Sequence, residues 1–114
     1  MLRTLWNKLT GKKTAELLAR VRQEVAAGRA VLVDVREPGE WDAGHVAGAI
    51  PAPLSRIADA KLPQDKPLYL YCGAGIRARM AARTLREQGH DARPLSAGYR
   101  KLVLHGFTFV VHRR

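Results

Sequence analysis

The stretch "LYLYCGAGIRAR" holds the one cysteine of the chain, Cys72, where an apolar run gives way to a glycine-rich turn. Two readings are open to it. A cysteine at a strand end is commonly a small buried hydrophobe. It becomes a nucleophile when something stabilises its thiolate, and the residues that follow could supply such a device. Gly73, Ala74 and Gly75 let the backbone curl tightly, so that successive N–H groups turn inward as an anion-binding nest. The turn feeds a helix beginning near Ile76, whose positive end adds to the same field. Arg77 adds a cation, either facing the anion or buttressing the turn. A packing cysteine needs neither the glycines nor the arginine, so the arrangement weights Cys72 toward the nucleophile reading, with Gly73, Ala74, Gly75, Ile76 and Arg77 as the turn that could receive an anionic substrate.

Holding that loop takes a strand before it and a helix after it. "PLYLYC" reads as the strand, and "IRARMAARTLREQG" as a helix stopped by Gly89. Upstream, "AVLVDV" is a continuous β-branched run, the pattern of a strand covered on both faces. "REPGEWDAGH" is a short helix with Pro38 in its first turn and Gly44 at its exit. "AGAIP" is a brief strand cut off by Pro51, "LSRIADAKL" one or two helical turns, and "ARPLS" a strand that Pro94 marks for an edge or bulge. "YRKLVLHG" is a last short helix before "FTFVV". Near the start, "TAELLARVRQEVAAG" is a helix capped by Thr14, with Leu17, Leu18, Val21 and Val25 in one stripe and a stop at Gly28. "MLRTLWNKL" forms a separate basic amphipathic helix with Leu2, Leu5, Trp6 and Leu9 on one side. Strands alternating with helices predict an α/β fold, a central and mainly parallel sheet with helices on both faces. Ligands of such sheets gather outside the carboxyl ends of the strands, where Cys72 falls.

The 114 residues suffice for one core, and the expected division is a short amphipathic segment, residues 1–11, before a single domain, residues 12–114. Hydrophobic residues make up 46% and charged residues 26%, the balance of a folded globular chain. No apolar run approaches the roughly 20 residues of a membrane span, and no secretory leader is recognisable, so the expected address is cytoplasmic. A single cysteine forms no intrachain disulfide, and with no cluster of metal ligands neither a metal nor an organic cofactor is expected. Against 10 Asp and Glu stand 20 Lys and Arg, a net charge of +10 that draws anions toward the surface. The basic residues are scattered and no nucleic-acid-reading motif accompanies them, so no specific nucleic-acid partner is expected. Arg79, Arg83 and Arg86 recur at helical spacing, as a solvated face that steers anions. Contact of residues 1–9 with a membrane surface is weighed below packing against the domain or a partner.

Three segments, "LVDVREPGEWDAGHVAGAIPAPLSRI", "LYLYCGAGIRARMAARTLREQGH" and "LSAGYRKL", resemble in order and spacing the signatures of a single-domain rhodanese, the sulfurtransferase family, across residues 14–110. The resemblance implies a rhodanese-like domain in which Cys72 carries sulfur and residues 73–77 form the active-site loop. It makes Asp34 and Arg36 a supporting pair at the end of the neighbouring strand; an exposed ion pair or a helix cap is the alternative, for Arg36 above all. His45 is expected to be structural, since the loop and helix end can activate a thiol unaided. Two departures stand out. Family members often carry a basic residue and then a serine after the cysteine, where this chain has Gly73 and Ala74, and Ala97, Gly98 and Leu102 replace a glycine pair and a tryptophan.

The implied reaction moves a sulfane sulfur from a small anionic donor such as thiosulfate, through a Cys72 persulfide, to a thiophilic acceptor: cyanide in an assay, a thiol or protein in the cell. A relay or binding module that depends on a partner is the alternative suggested by the bare Gly73–Ala74 loop. A cysteine-phosphatase reading fails on spacing, because that signature has one more residue between cysteine and arginine than the four found here.

Overall fold

The computed structural model describes the backbone of residues 2–112 and the side chains of residues 11–112. In chain order the elements are α1 (Leu2–Ala26), β1 (Val31–Asp34), α2 (Pro38–Ala43), β2 (His45–Val46), β3 (Ile50–Pro51), a 3-10 helix (Leu54–Asp59), β4 (Leu68–Tyr71), α3 (Ile76–Glu87), β5 (Ala92–Pro94), α4 (Tyr99–Leu104) and β6 (Phe109–Val110). Four strands form one sheet in the order β3-β1-β4-β5, with every neighbouring pair parallel. The central strands β1 and β4 end in register, Asp34 opposite Tyr71, so the chain leaves both at the same end of the sheet. Those exits carry Asp34 and Cys72, two of the residues singled out from the sequence.

Alternation along the strands divides the core in two. Val33, Leu68, Leu70 and Cys72 pack toward α3 and the 3-10 helix, against Ala78, Ala81, Ala82, Leu85 and Ile57. Leu32, Tyr69 and Tyr71 pack toward α1 and α4, against Leu18, Val21 and Leu102. Helices therefore cover both faces, as the uninterrupted apolar runs of β1 and β4 require. The alanines on α3 bring that helix close to the sheet, while each leucine buried on either face contributes about 1.5–3 kcal/mol.

Two expectations are corrected, the N-cap at Thr14 and the separateness of the first amphipathic helix from the one that follows it. Thr14 is not an N-cap: α1 runs without a break through Gly11 and Thr14. A glycine inside a helix costs about 1 kcal/mol relative to alanine, which helix-forming neighbours absorb. Lys12 and Glu16, exposed and one turn apart at 4.0 Å, add a small further contribution. The apolar stripe expected on Leu2, Leu5, Trp6 and Leu9 lies outside the described side chains. The segment "FTFVV" contributes β6, which pairs antiparallel with β2 as a separate two-stranded ribbon, His45 opposite Val110 and Val46 opposite Phe109. Two-residue strands leave too short a pattern for periodicity to register. Among the described residues no helix is long and apolar enough to cross a membrane.

Candidate active site

Cys72 follows the last residue of β4 and is 1% exposed. Its Sγ accepts a hydrogen bond from the N–H of Gly75 at 3.0 Å, so the turn closes over the sulfur with a backbone donor pointing at it. Gly75 is the N-cap of α3 and has φ +94°, where a side chain would be strained; a Cβ there would lie 2.9 Å from the carbonyl oxygen of Ser96. A second backbone contact holds the turn from the β5–α4 connection. A Cβ on Gly98 would overlap the carbonyl oxygen of Gly73, and the next residue, Tyr99, donates its N–H to the Cys72 carbonyl at 3.0 Å. Two connections thus meet backbone to backbone around one sulfur. Gly73 and Ala74 are exposed on the turn, and Ile76 stands 60% exposed at its edge.

Arg77 points across the mouth of the turn to α2. Its Nη1 and Nη2 donate to the two carboxylate oxygens of Glu40 at 2.5 and 3.1 Å, and the pair is partly solvent-accessible. The hydrogen bonds from Arg77 hold the Glu40 carboxyl below its ordinary range, and those same bonds raise Arg77 above its own. The Arg77 guanidinium is thereby tied to α2 through Glu40. Glu40 also accepts the N–H of Glu37 at 3.0 Å, one half of a capping box that fixes the start of α2.

Asp34 and Arg36 are buried, not exposed, so the surface ion-pair alternative is ruled out for both. The Arg36 guanidinium grips the Asp34 carboxylate with Nε at 3.1 Å from both oxygens and Nη2 at 2.8 Å, and Nη2 also reaches the Gly44 carbonyl at 2.7 Å. Burial opposes the charge of Arg36, yet Asp34 more than offsets it and leaves Arg36 above its ordinary value. The hydroxyl of Tyr71 donates to Asp34 at 2.6 Å and accepts the N–H of Val46 at 3.0 Å. Burial, and then the bond to Asp34, push this phenol well above the usual tyrosine range.

The cluster of Asp34, Arg36 and Tyr71 lies on the α1/α4 side of the sheet, whereas the Cys72 side chain lies on the α3 side. Its link to the sulfur is indirect. Arg36 sits 4.8 Å from the centre of the Tyr99 ring, and the Tyr99 amide holds the Cys72 carbonyl. Arg36 thus reaches the turn only through Tyr99. An open groove of about 290 Å³ between α2 and α4 is lined by Arg36, Glu40, Ala43, Gly44, Tyr99 and Phe109.

His45 stacks on Trp41 with ring centres 3.6 Å apart and shares a hydrogen bond with His112 at 2.9 Å. These are structural contacts within and beside the β2–β6 ribbon. Among the described residues no group of three or more His, Cys, Asp or Glu is placed to hold a metal ion.

Glu40, Tyr71 and Tyr99 were not singled out from sequence. Glu40 stands in a capping-box position and Tyr71 is a polar-tipped aromatic at the end of a buried strand, but neither pattern points to the partner each one meets in the fold. Chemically, a buried sulfur beneath the start of α3, with the Gly75 N–H aimed at it, is arranged to stabilise negative charge on itself or on an atom bonded to it.

Residues 16–105 match the family described as the rhodanese-like domain. The chain is similar to the Bacillus subtilis protein YqhL, 43% identical over 84 residues that are 69% of this chain and 67% of that one. It is also similar to a putative sulfur carrier protein, YrkF, of the same organism, at 35% identity over 60 residues, 51% of this chain and 32% of the other. Among solved structures it is similar to the human single-domain sulfurtransferase TSTD1, with TM-score 0.68 and 28% identity, covering 75% of this chain and 91% of that one.

Proposed function

The chain belongs to the rhodanese-like domain family, and from that premise we propose that it is a sulfurtransferase in which Cys72 carries the sulfur as a persulfide. The observation that carries this reading is the 3.0 Å hydrogen bond from the Gly75 N–H to Cys72 Sγ, at the point where a parallel strand turns into a helix. With thiosulfate as donor, the Cys72 thiolate attacks the sulfane sulfur, the new S–S bond forms, and sulfite leaves with the electron pair of the old one. The outer sulfur of the persulfide then faces the turn formed by residues 73–77, whose amides stabilise its negative charge. A thiolate or cyanide acceptor attacks that outer sulfur, and Cys72 leaves as the thiolate, ready for another cycle. Asp34, Arg36 and Tyr71 take no part in the bond changes; they hold the Tyr99 connection that frames the turn.

Incubation with a sulfane donor followed by intact-mass measurement is expected to show one added sulfur atom, absent in Cys72→Ala and removed by cyanide or a thiol. No adduct with thiosulfate or with any thiol persulfide defeats the proposal. A second reading, a sulfur relay that works only with a partner, is favoured by the exposed and featureless Gly73–Ala74 edge and by the similarity to a putative sulfur carrier protein. It predicts loading without multiple turnover on small acceptors.

A further inference from the structure

The cation beside the turn is already spent on a carboxylate. Both terminal nitrogens of Arg77 are engaged by Glu40, one on each oxygen. The pair lies at the lip of the turn: a Cβ on Gly73 would be 3.5 Å from Arg77 Nη2. Gly73 and Ala74 themselves offer no side-chain donor. A donor approaching Cys72 therefore meets the Gly75 amide, a neutralised arginine and an ionised carboxylate. The charge on Glu40 is secure, because Arg77 holds its carboxyl below the ordinary range.

We infer that Glu40 is a specificity-determining residue that selects against dianionic sulfur donors such as thiosulfate and favours the persulfides of thiols. This rests on the sulfurtransferase reading above and adds the donor class to it. A thiosulfate dianion needs cations at the lip to offset its charge as it docks, and the Glu40 carboxylate both occupies Arg77 and repels the newcomer. A thiol persulfide needs far less. The Cys72 thiolate attacks its outer sulfur, the S–S bond of the donor breaks, and the donor leaves as a thiolate that takes up a proton from water. The outer sulfur and its hydrogen pass to Cys72, so atoms and charge balance with no further reactant.

The test compares second-order rate constants for loading sulfur onto Cys72, read by intact mass, from thiosulfate and from the persulfide of 2-mercaptoethanol. Glu40→Gln keeps an acceptor for the Glu37 N–H, so α2 retains its capping box while the charge is removed. The ratio of the thiosulfate constant to the persulfide constant is expected to rise about tenfold in this variant, with a steeper fall in the thiosulfate constant as salt is added. A ratio that stays level or falls overturns the assignment, since a purely structural role would slow both donors together. Gly73→Lys places a new cation on the turn, where a side chain has room; it too is expected to raise the ratio, and if Glu40→Gln does not fold, a level ratio in Gly73→Lys overturns the assignment in its place. Failure of the underlying reading looks different, because neither donor then loads the wild-type chain.

Discussion

The Tyr71 hydroxyl serves two buried partners, donating to Asp34 and accepting from the Val46 N–H. Tyr71→Phe removes both bonds with almost no change of shape. It strands a buried amide and leaves the Asp34 carboxylate with one donor fewer, a cost of about 1–3 kcal/mol. Equilibrium denaturant titration is expected to show that loss as a lower midpoint at unchanged slope. Cys72 was legible from sequence because the features that surround it, a strand, glycines and a helix start, are its immediate neighbours. Tyr71 and Glu40 were not, because their partners Asp34 and Arg77 each lie 37 residues away. Only the register of β1 with β4, and the placement of α2 against α3, brings them together.

Among the elements, the β5–α4 connection matters most to the site, since it touches the Cys72 turn through bare backbone at Gly98. Gly98→Ala forces a methyl group into the Gly73 carbonyl, and one of the two connections must move. Sulfur loading on Cys72 is expected to slow by about 100-fold, in keeping with the penalty for displacing a reacting group by about 1 Å. Intact-mass kinetics measure this, and a melting profile distinguishes it from unfolding. Sequence showed that a glycine stood here but not what it approached. Elements with punctuation at both ends were read well: α2 between Pro38 and Gly44, and β5 as an edge strand with Pro94. Thr14 misled because a good capping residue is also tolerated inside a helix, and the strength of its neighbours decides.

At the scale of the molecule, the β2–β6 ribbon ties the last described segment to the loop after α2, and its outer contact is the hydrogen-bonded pair His45 and His112. That bond needs at least one neutral ring, one nitrogen donating and the other accepting. Burial, and then the nearness of His112, hold His45 below the ordinary value of 6.5. The folded chain thus binds this proton less readily than the unfolded one. Stability from the pair is complete above pH 6.5 and is lost as pH falls from there through the folded value of His45. Melting temperatures measured between neutral and mildly acidic pH are expected to drop across that window, and to drop less in His112→Ala. The sheet itself ends in a different kind of protection. Ala52 and Leu95 donate their N–H groups inward, to Asp34 and Leu70, so the nitrogens of the preceding residues, Pro51 and Pro94, face outward on the two border strands. Each border thereby lacks a donor where a foreign strand would seek one, and lateral growth of the sheet into fibrils is blocked on both flanks by a covalent ring.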